Sequence, residues 1–146
     1  MTSSFSLLRC FGDEWTSLSP RMPLGGRRQF ASASLDQDRH FMFGGEIARG
    51  RSSDVLEYDS ARKSFSTHTP LPEERCCAAA TAIDNDRFLV VGGHTDTILF
   101  DKSCRVYDTR TRKWSKDWPD LNIGRRGHTC VTTNNKVWMR LQERLT

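Results

Sequence analysis

Nowhere in this 146-residue sequence do apolar residues run for the ~18 positions that a membrane-spanning helix needs, so no helical span and no membrane partner are expected. The opening stretch Met1-Thr2-Ser3-Ser4-Phe5-Ser6-Leu7-Leu8-Arg9-Cys10 lacks a basic leader, and its apolar core is too short, which argues against a secretory signal. A cytoplasmic location is expected, with the nucleus as the second choice. A block of like charge is also missing. The formal net charge is +4, but Lys and Arg are interleaved with Asp and Glu along the whole length. Nucleic-acid binding needs basic residues gathered on one face with aromatics between them, and Arg125-Arg126 is too small a spot for that, so nucleic acid is not an expected partner.

Cysteine is sparse and badly spaced for crosslinks or metals. The five residues Cys10, Cys76, Cys77, Cys104 and Cys130 are odd in number, two are adjacent, and no Cys-x-x-Cys occurs, so reduced thiols and no metal site are expected. The four histidines, His40, His68, His94 and His128, fall at no ligand spacing. No nucleophile and base, and no constellation of carboxylates, stands out, so neither catalytic residues nor a cofactor are expected. No glycine pattern opens a helix, which speaks against a phosphate-cradling loop. No apolar pattern of period 3.6 persists either, and an all-β chain follows. With 36% hydrophobic and 27% charged residues, the sequence is that of a folded domain of ordinary size.

What is present is a repeat of about fifty residues. Phe41-Met42-Phe43-Gly44-Gly45 is followed by Val55-Leu56-Glu57-Tyr58-Asp59, Phe65, Pro70-Leu71-Pro72 and Arg75; Leu89-Val90-Val91-Gly92-Gly93 is followed by Cys104-Arg105-Val106-Tyr107-Asp108, Trp114, Trp118-Pro119 and Arg125. The offsets are 48 residues for the glycines (44 to 92), 49 for the tyrosines (58 to 107) and 50 for the arginines (75 to 125). Landmarks kept in step mark stacked units of one supersecondary type. Each unit offers four strand candidates, at 29–35, 40–45, 54–58 and 63–67, then at 76–83, 88–93, 103–107 and 113–116. Asp36-Gln37-Asp38, Asp84-Asn85-Asp86 and Asn134-Asn135 supply hairpin turns between them. Phe88-Leu89-Val90-Val91 is apolar without alternation, as in a strand buried on both faces, and Cys76-Cys77-Ala78-Ala79-Ala80-Thr81 has the small side chains that suit a crowded strand.

This ordered set resembles the kelch repeat over nearly the whole chain. The resemblance implies an all-β fold of kelch-type β-propeller blades, each a four-stranded antiparallel sheet, in an incomplete ring. Repeats are expected at 27–75 and 76–125, half repeats at 1–26 and 126–139, and a tail at 140–146, where Arg140-Leu141-Gln142 replaces the next Gly-Gly. A propeller closes with about four to eight blades. The chain is therefore expected to be a fragment or splice form of a longer propeller, or to self-associate by trading half blades into a six-bladed dimer. Gly44, Gly45, Gly92 and Gly93 are expected to permit close backbone approach, and Tyr58, Phe65, Tyr107 and Trp114, together with Trp15, to pack between blades. Trp118 is read as a packed link aromatic or an exposed anchor.

The resemblance also implies a non-catalytic module that binds another protein, of no identified kind, through the loops joining strands two and three and the links between blades. Those are residues 46–53, 94–102, 69–75 and 122–126. Arg49, Arg51, His94, Asp96, Arg75 and Arg125 are the candidate partner contacts, because the guanidinium fork suits carboxylates and interface hot spots. For Arg75 and Arg125, which recur at one repeat position, a structural role competes; for Arg49 and Arg51, ordinary solvated charge does. Two other readings remain open: a fragment of a kelch-bladed enzyme of the galactose oxidase or sugar isomerase kind, and the substrate-recognition part of a ubiquitin-ligase adapter or an actin-associated protein.

Overall fold

A computed structural model describes residues 7–18 and 22–140, and among these every regular element is a strand. The elements are β1 (Leu7–Phe11), β2 (Glu14–Leu18), β3 (Ala31–Ser34), β4 (Arg39–Phe43), β5 (Glu46–Ile47), β6 (Gly50–Arg51) and β7 (Val55–Asp59). They continue with β8 (Ser64–Thr67), β9 (Ala79–Ala82), β10 (Arg87–Gly93), β11 (Asp101–Asp108), β12 (Lys113–Ser115), β13 (Thr129–Thr133) and β14 (Lys136–Arg140). Two four-stranded antiparallel sheets, β3-β4-β7-β8 and β9-β10-β11-β12, form the body, with the two-stranded sheets β1-β2 and β13-β14 beside them. The inner strands β3, β9 and β13 stand next to one another, so the sheets are set like blades about a common axis, and no ring closes.

Local chemistry places the turns. The Asp36 carboxylate accepts from the backbone amides of Asp38 (2.9 Å) and Arg39 (2.8 Å), and Asp84 repeats this with Asp86 (3.0 Å) and Arg87 (2.8 Å). These Asx turns reverse the chain between the two inner strands of each blade. Asn134 and Asn135 close the β13–β14 hairpin with φ of 49° and 58°, the left-handed pair that a two-residue turn demands.

Strand alternation then builds the core. Along β4, Phe41 and Phe43 face the second blade while Met42 faces the other way; along β10, Phe88 and Val90 face the first blade while Leu89 and Val91 turn toward β14. Between the blades the Phe41 and Phe88 rings meet at 4.6 Å, Phe43 and Phe88 at 5.3 Å, and Phe43 and Trp114 at 6.0 Å, while Tyr107 packs on Trp114 within the second blade at 4.8 Å. On the other side of the first blade, Tyr58 packs on Phe65 at 4.9 Å. The half-buried Trp114 also donates its indole N–H to the Thr69 carbonyl (3.0 Å), tying the outer strand of the second blade to the link before it. Trp114→Ala loses that bond and part of an aromatic cluster; we expect a loss of about 2–3 kcal/mol in urea-melt stability.

The same interface carries a buried polar chain. His68 lies 2.6 Å from the Glu57 carboxylate through Nε2 and 2.9 Å from the Tyr107 hydroxyl through Nδ1, and Glu57 also accepts from Arg39 at 2.7 Å. Burial lowers the His68 pKa more than Glu57 raises it, so a neutral ring donates from Nε2 and accepts the tyrosine proton at Nδ1. Burial and Arg125 likewise lower His128. A histidine whose folded pKa lies below its unfolded value, about 6.5, contributes stability that is full above that pH and lost as pH falls through it. Burial raises the Glu57 carboxyl, but Arg39 and His68 more than offset this, so its contribution too is lost toward acid. The melting temperature is therefore expected to hold from pH 8 to 7 and to fall between pH 6.5 and 5; in His68→Gln that acid slope is expected to be shallower.

Several expectations need correction. Strand β9 starts three residues later than the small-residue run suggests, because Cys77 has a left-handed φ of 56°, which breaks an extended strand. The segment at 46–53 is a small hairpin, β5-β6, rather than a plain loop. Trp15 does not share the burial of Phe65 and Trp114: it is 69% exposed, because β1 and β2 form a sheet alone, with no inner strands to cover the ring. Trp118 is packed, against the cluster of Leu89, Val91, Cys104 and Val106. Of the tail expected at 140–146, Arg140 instead closes β14 as the partner of Thr129, and 141–146 lie outside the described residues.

Candidate functional site

The turns at 36–38 and 84–86 lie at one end of the blades. The β4–β7 and β10–β11 connections and the links between blades lie at the other. At that end the links repeat one backbone design. Arg28 bridges Glu46, and Cys76 bridges His94, each with two backbone hydrogen bonds of 2.7–3.0 Å. Gln29, Cys77 and Gly127, one from each link, all have left-handed φ (54°, 56° and 64°). They bond in series, Cys77 N–H to Gln29 O and Gly127 N–H to Cys77 O, both at 2.8 Å. These three residues line a cleft of about 510 Å3 at the mouth of the axis, with Glu46, Arg51, His94 and Arg126 on its walls.

The glycine pairs follow from this design. The carbonyl of Arg75 accepts from Gly45 N–H and that of Arg125 from Gly93 N–H, both at 2.8 Å. A Cβ on Gly44 would sit 2.3 Å from the Arg75 carbonyl oxygen, and one on Gly92 2.6 Å from that of Arg125, so only glycine admits the link.

The six arginine, histidine and aspartate candidates divide. Arg51, His94 and Asp96 come together. The Arg51 guanidinium pairs with Asp96 and lies 2.9 Å from His94 Nε2, and Arg126 approaches His94 Nδ1 at 3.4 Å, so consecutive repeats are joined across the cleft. Arg49 is exposed at the tip of the β5-β6 hairpin, beside a second cleft of about 800 Å3 that Leu24, Arg28 and Ile47 also line.

Arg75 is a correction. Its side chain is 1% exposed and cannot meet a partner. It reaches forward into the second blade, donating to Gly92 O (2.9 Å), Ser103 Oγ (3.2 Å) and Glu73 (2.8 Å), with Asp101 at 3.3 Å. Arg27 does the same one repeat earlier, on Gly44 O (3.3 Å) and Asp54 (3.2 Å). Arg105 adds a second cation on Glu73 at 2.7 Å. Burial raises the Glu73 carboxyl, and the two guanidiniums bring it below the usual carboxylate range. Arg125, half-buried, donates to Ile123 O at 3.3 Å.

Sequence reasoning missed an apolar patch. Ile98, Leu99 and Phe100 sit in a connection read as polar and charged, yet all three are exposed. The Phe100 ring lies 5.1 Å under the Arg126 guanidinium, and the Phe100 carbonyl abuts Gly124, which brings Ile123, 69% exposed, alongside. Three consecutive apolar residues inside a turn-rich loop were the available signal. Among the described residues no group of three or more His, Cys, Asp or Glu is placed to hold a metal ion, and no helix is long and apolar enough to cross a membrane.

Blades arranged radially, joined by links that interlock at one end, define a partial β-propeller. The family model described as the KLHDC2/KLHL20/DRC7 Kelch-repeats domain matches residues 2–140, and the chain belongs to that kelch-repeat family. No curated protein matches it. Kelch-repeat domains are in general protein-interaction modules.

Proposed function

We propose that this chain is a non-catalytic docking module, working in the cytoplasm or nucleus, that binds another protein through the end of the blades where the links and the β10–β11 connection meet. The observation that supports this most is the exposed apolar group of Ile98, Leu99 and Ile123 beside Phe100, continuous with the Arg51, His94, Asp96 and Arg126 network. An apolar centre rimmed by arginines is the composition of an interface hot spot. Arg49 and Arg125 extend the rim. The same face would read a substrate if the module serves a ubiquitin-ligase adapter.

Affinity capture with the full chain, with mass spectrometry of what is retained, tests the reading. Leu99→Asp is expected to reduce recovery of the specific partner roughly 10-fold or more, since a hot-spot change of about 2 kcal/mol is worth that much. Gln37→Lys, at the opposite ends of the strands, should leave recovery unchanged. Equal recovery with Leu99→Asp, or loss with Gln37→Lys alone, would move the docking face elsewhere.

A second reading concerns self-association. Val131 and Trp138 are directly paired across β13 and β14, and both are more than half exposed on one face of a two-stranded sheet. A blade from a second copy could cover them. Light scattering at micromolar concentration would then report a dimer that Trp138→Lys converts to monomer; a monomeric wild type ends that idea.

A further inference from the structure

Cys76 and Cys77 occupy the floor of the cleft at the axis mouth, with Gln29, Arg51, His94 and Arg126 around them. Side chains of neighbouring residues in an extended chain point to opposite faces. Here the left-handed φ of 56° at Cys77 turns both sulfurs to one side, 3.6 Å apart. The dipeptide has little freedom to separate them. Cys76 exchanges backbone bonds of 3.0 and 2.8 Å with His94, Cys77 N–H bonds Gln29 O at 2.8 Å, and Cys77 O accepts from Gly127 at 2.8 Å. The propeller design requires none of this sulfur chemistry. The equivalent places one repeat away hold Arg28-Gln29 and Arg126-Gly127, with the same backbone conformation.

An internal disulfide is the poorer use of the pair. Adjacent Cα atoms are ~3.8 Å apart across a trans peptide, short of the ~4.4–6.8 Å that unstrained disulfides span. Burial, and then the neighbouring Cys76, push the Cys77 thiol up to about 11, so at neutral pH the Cys77 end of the pair is a protonated thiol, slow toward peroxide and alkylating agents. What suits the pair is a thiophilic centre that takes both sulfurs at once and carries its own base.

We propose that Cys76 and Cys77 form a chelating site for trivalent arsenicals. With an organoarsenic oxide, R–As=O, two As–S bonds form and the arsenic–oxygen bond breaks. The two thiol protons leave with that oxygen as one water, and arsenic stays trivalent, so no oxidant is needed. The second sulfur joins intramolecularly, so the chelate holds on the order of 100-fold more tightly than either thiol alone. This assignment is independent of protein docking, and its test involves no partner.

Phenylarsine oxide added to the full-length chain is the experiment. The wild type is expected to take up one arsenical with loss of one water, to lose two titratable thiols, to keep the adduct in excess monothiol and to release it to 2,3-dimercaptopropanol. Cys77→Gly keeps the fold, because Gly127 holds the same left-handed place one repeat on, and should bind about 100-fold more weakly. Cys104→Ser and Cys130→Ser should bind as the wild type does. Unchanged affinity in Cys77→Gly, an adduct mapped to Cys104 or Cys130, or displacement by monothiol would each overturn the assignment.

Discussion

Replacing Arg75 with alanine is expected to lower the stability of the folded chain by about 3–5 kcal/mol, a large fraction of the ~5–15 kcal/mol that holds an ordinary domain folded. The side chain is 1% exposed, and its guanidinium is the shared partner of Gly92 O, Ser103, Glu73 and Asp101. Removing it takes the adjacent cation from the nearly buried Asp101 carboxylate, 7% exposed, leaving it only the Ser103 amide and hydroxyl at 2.8 and 2.7 Å, and takes a donor from the Gly92 carbonyl. An unpaired buried charge costs far more than the pair contributed. Glu73 is less affected, because Arg105 still holds it at 2.7 Å. Urea denaturation is the check: a large drop in midpoint is expected for Arg75→Ala and a small one for Arg49→Ala, whose side chain is exposed. Equal effects would mean that Arg75 is not the staple between blades.

Gly44→Ala is expected to cost about 2–5 kcal/mol. Part of this is the left-handed backbone, φ 62°, which costs an alanine about 1–2 kcal/mol. The rest is collision: the new Cβ lies 2.3 Å from the Arg75 carbonyl oxygen, 3.1 Å from that of Ser52 and 3.2 Å from Leu71, and forcing atoms into a packed site costs about 1–3 kcal/mol. Gly25→Ala separates the two contributions. Gly25 has φ 77° but open space where the Cβ would go, so only the backbone penalty should be seen. If the two variants melt alike, the close approach between link and blade is absent.

The fold was legible because its signals are local and doubled. Asp36 and Asp84 write the same Asx turn, and Phe41-Met42-Phe43 and Leu89-Val90-Val91 write strands buried on both faces, so the sheet order follows from spacing. Arginine was harder to read. Arg75 and Arg49 are the same residue type in loops of the same end, yet one is a buried staple and the other exposed charge; only the forward reach of the link into the next blade separates them. Recurrence at 75 and 125 was the clue that set a structural role beside partner contact, and the structure adds Arg27 to the series. Trp15 misled because burial of a ring depends on the neighbouring inner strands, which a repeat position does not supply by itself. Ile98, Leu99 and Phe100 were overlooked for the converse reason. An apolar run in a loop marks a surface only when nothing folds over it, which is a property of the assembled blades.

Everything assigned to the docking end depends on consecutive repeats standing face to face about one axis. Aromatic-ring NOE spectroscopy on phenylalanine-labelled protein, with Phe88→Leu to assign the peaks, tests that arrangement directly. Rings 4.6 Å apart should give a strong Phe41–Phe88 cross-peak, accompanied by one between Phe43 and Phe88, whose rings are 5.3 Å apart. A spectrum that keeps the contact between Tyr58 and Phe65 on paired strands but shows no cross-peak from either phenylalanine to Phe88 would contradict the side-by-side blades and remove the shared face with them.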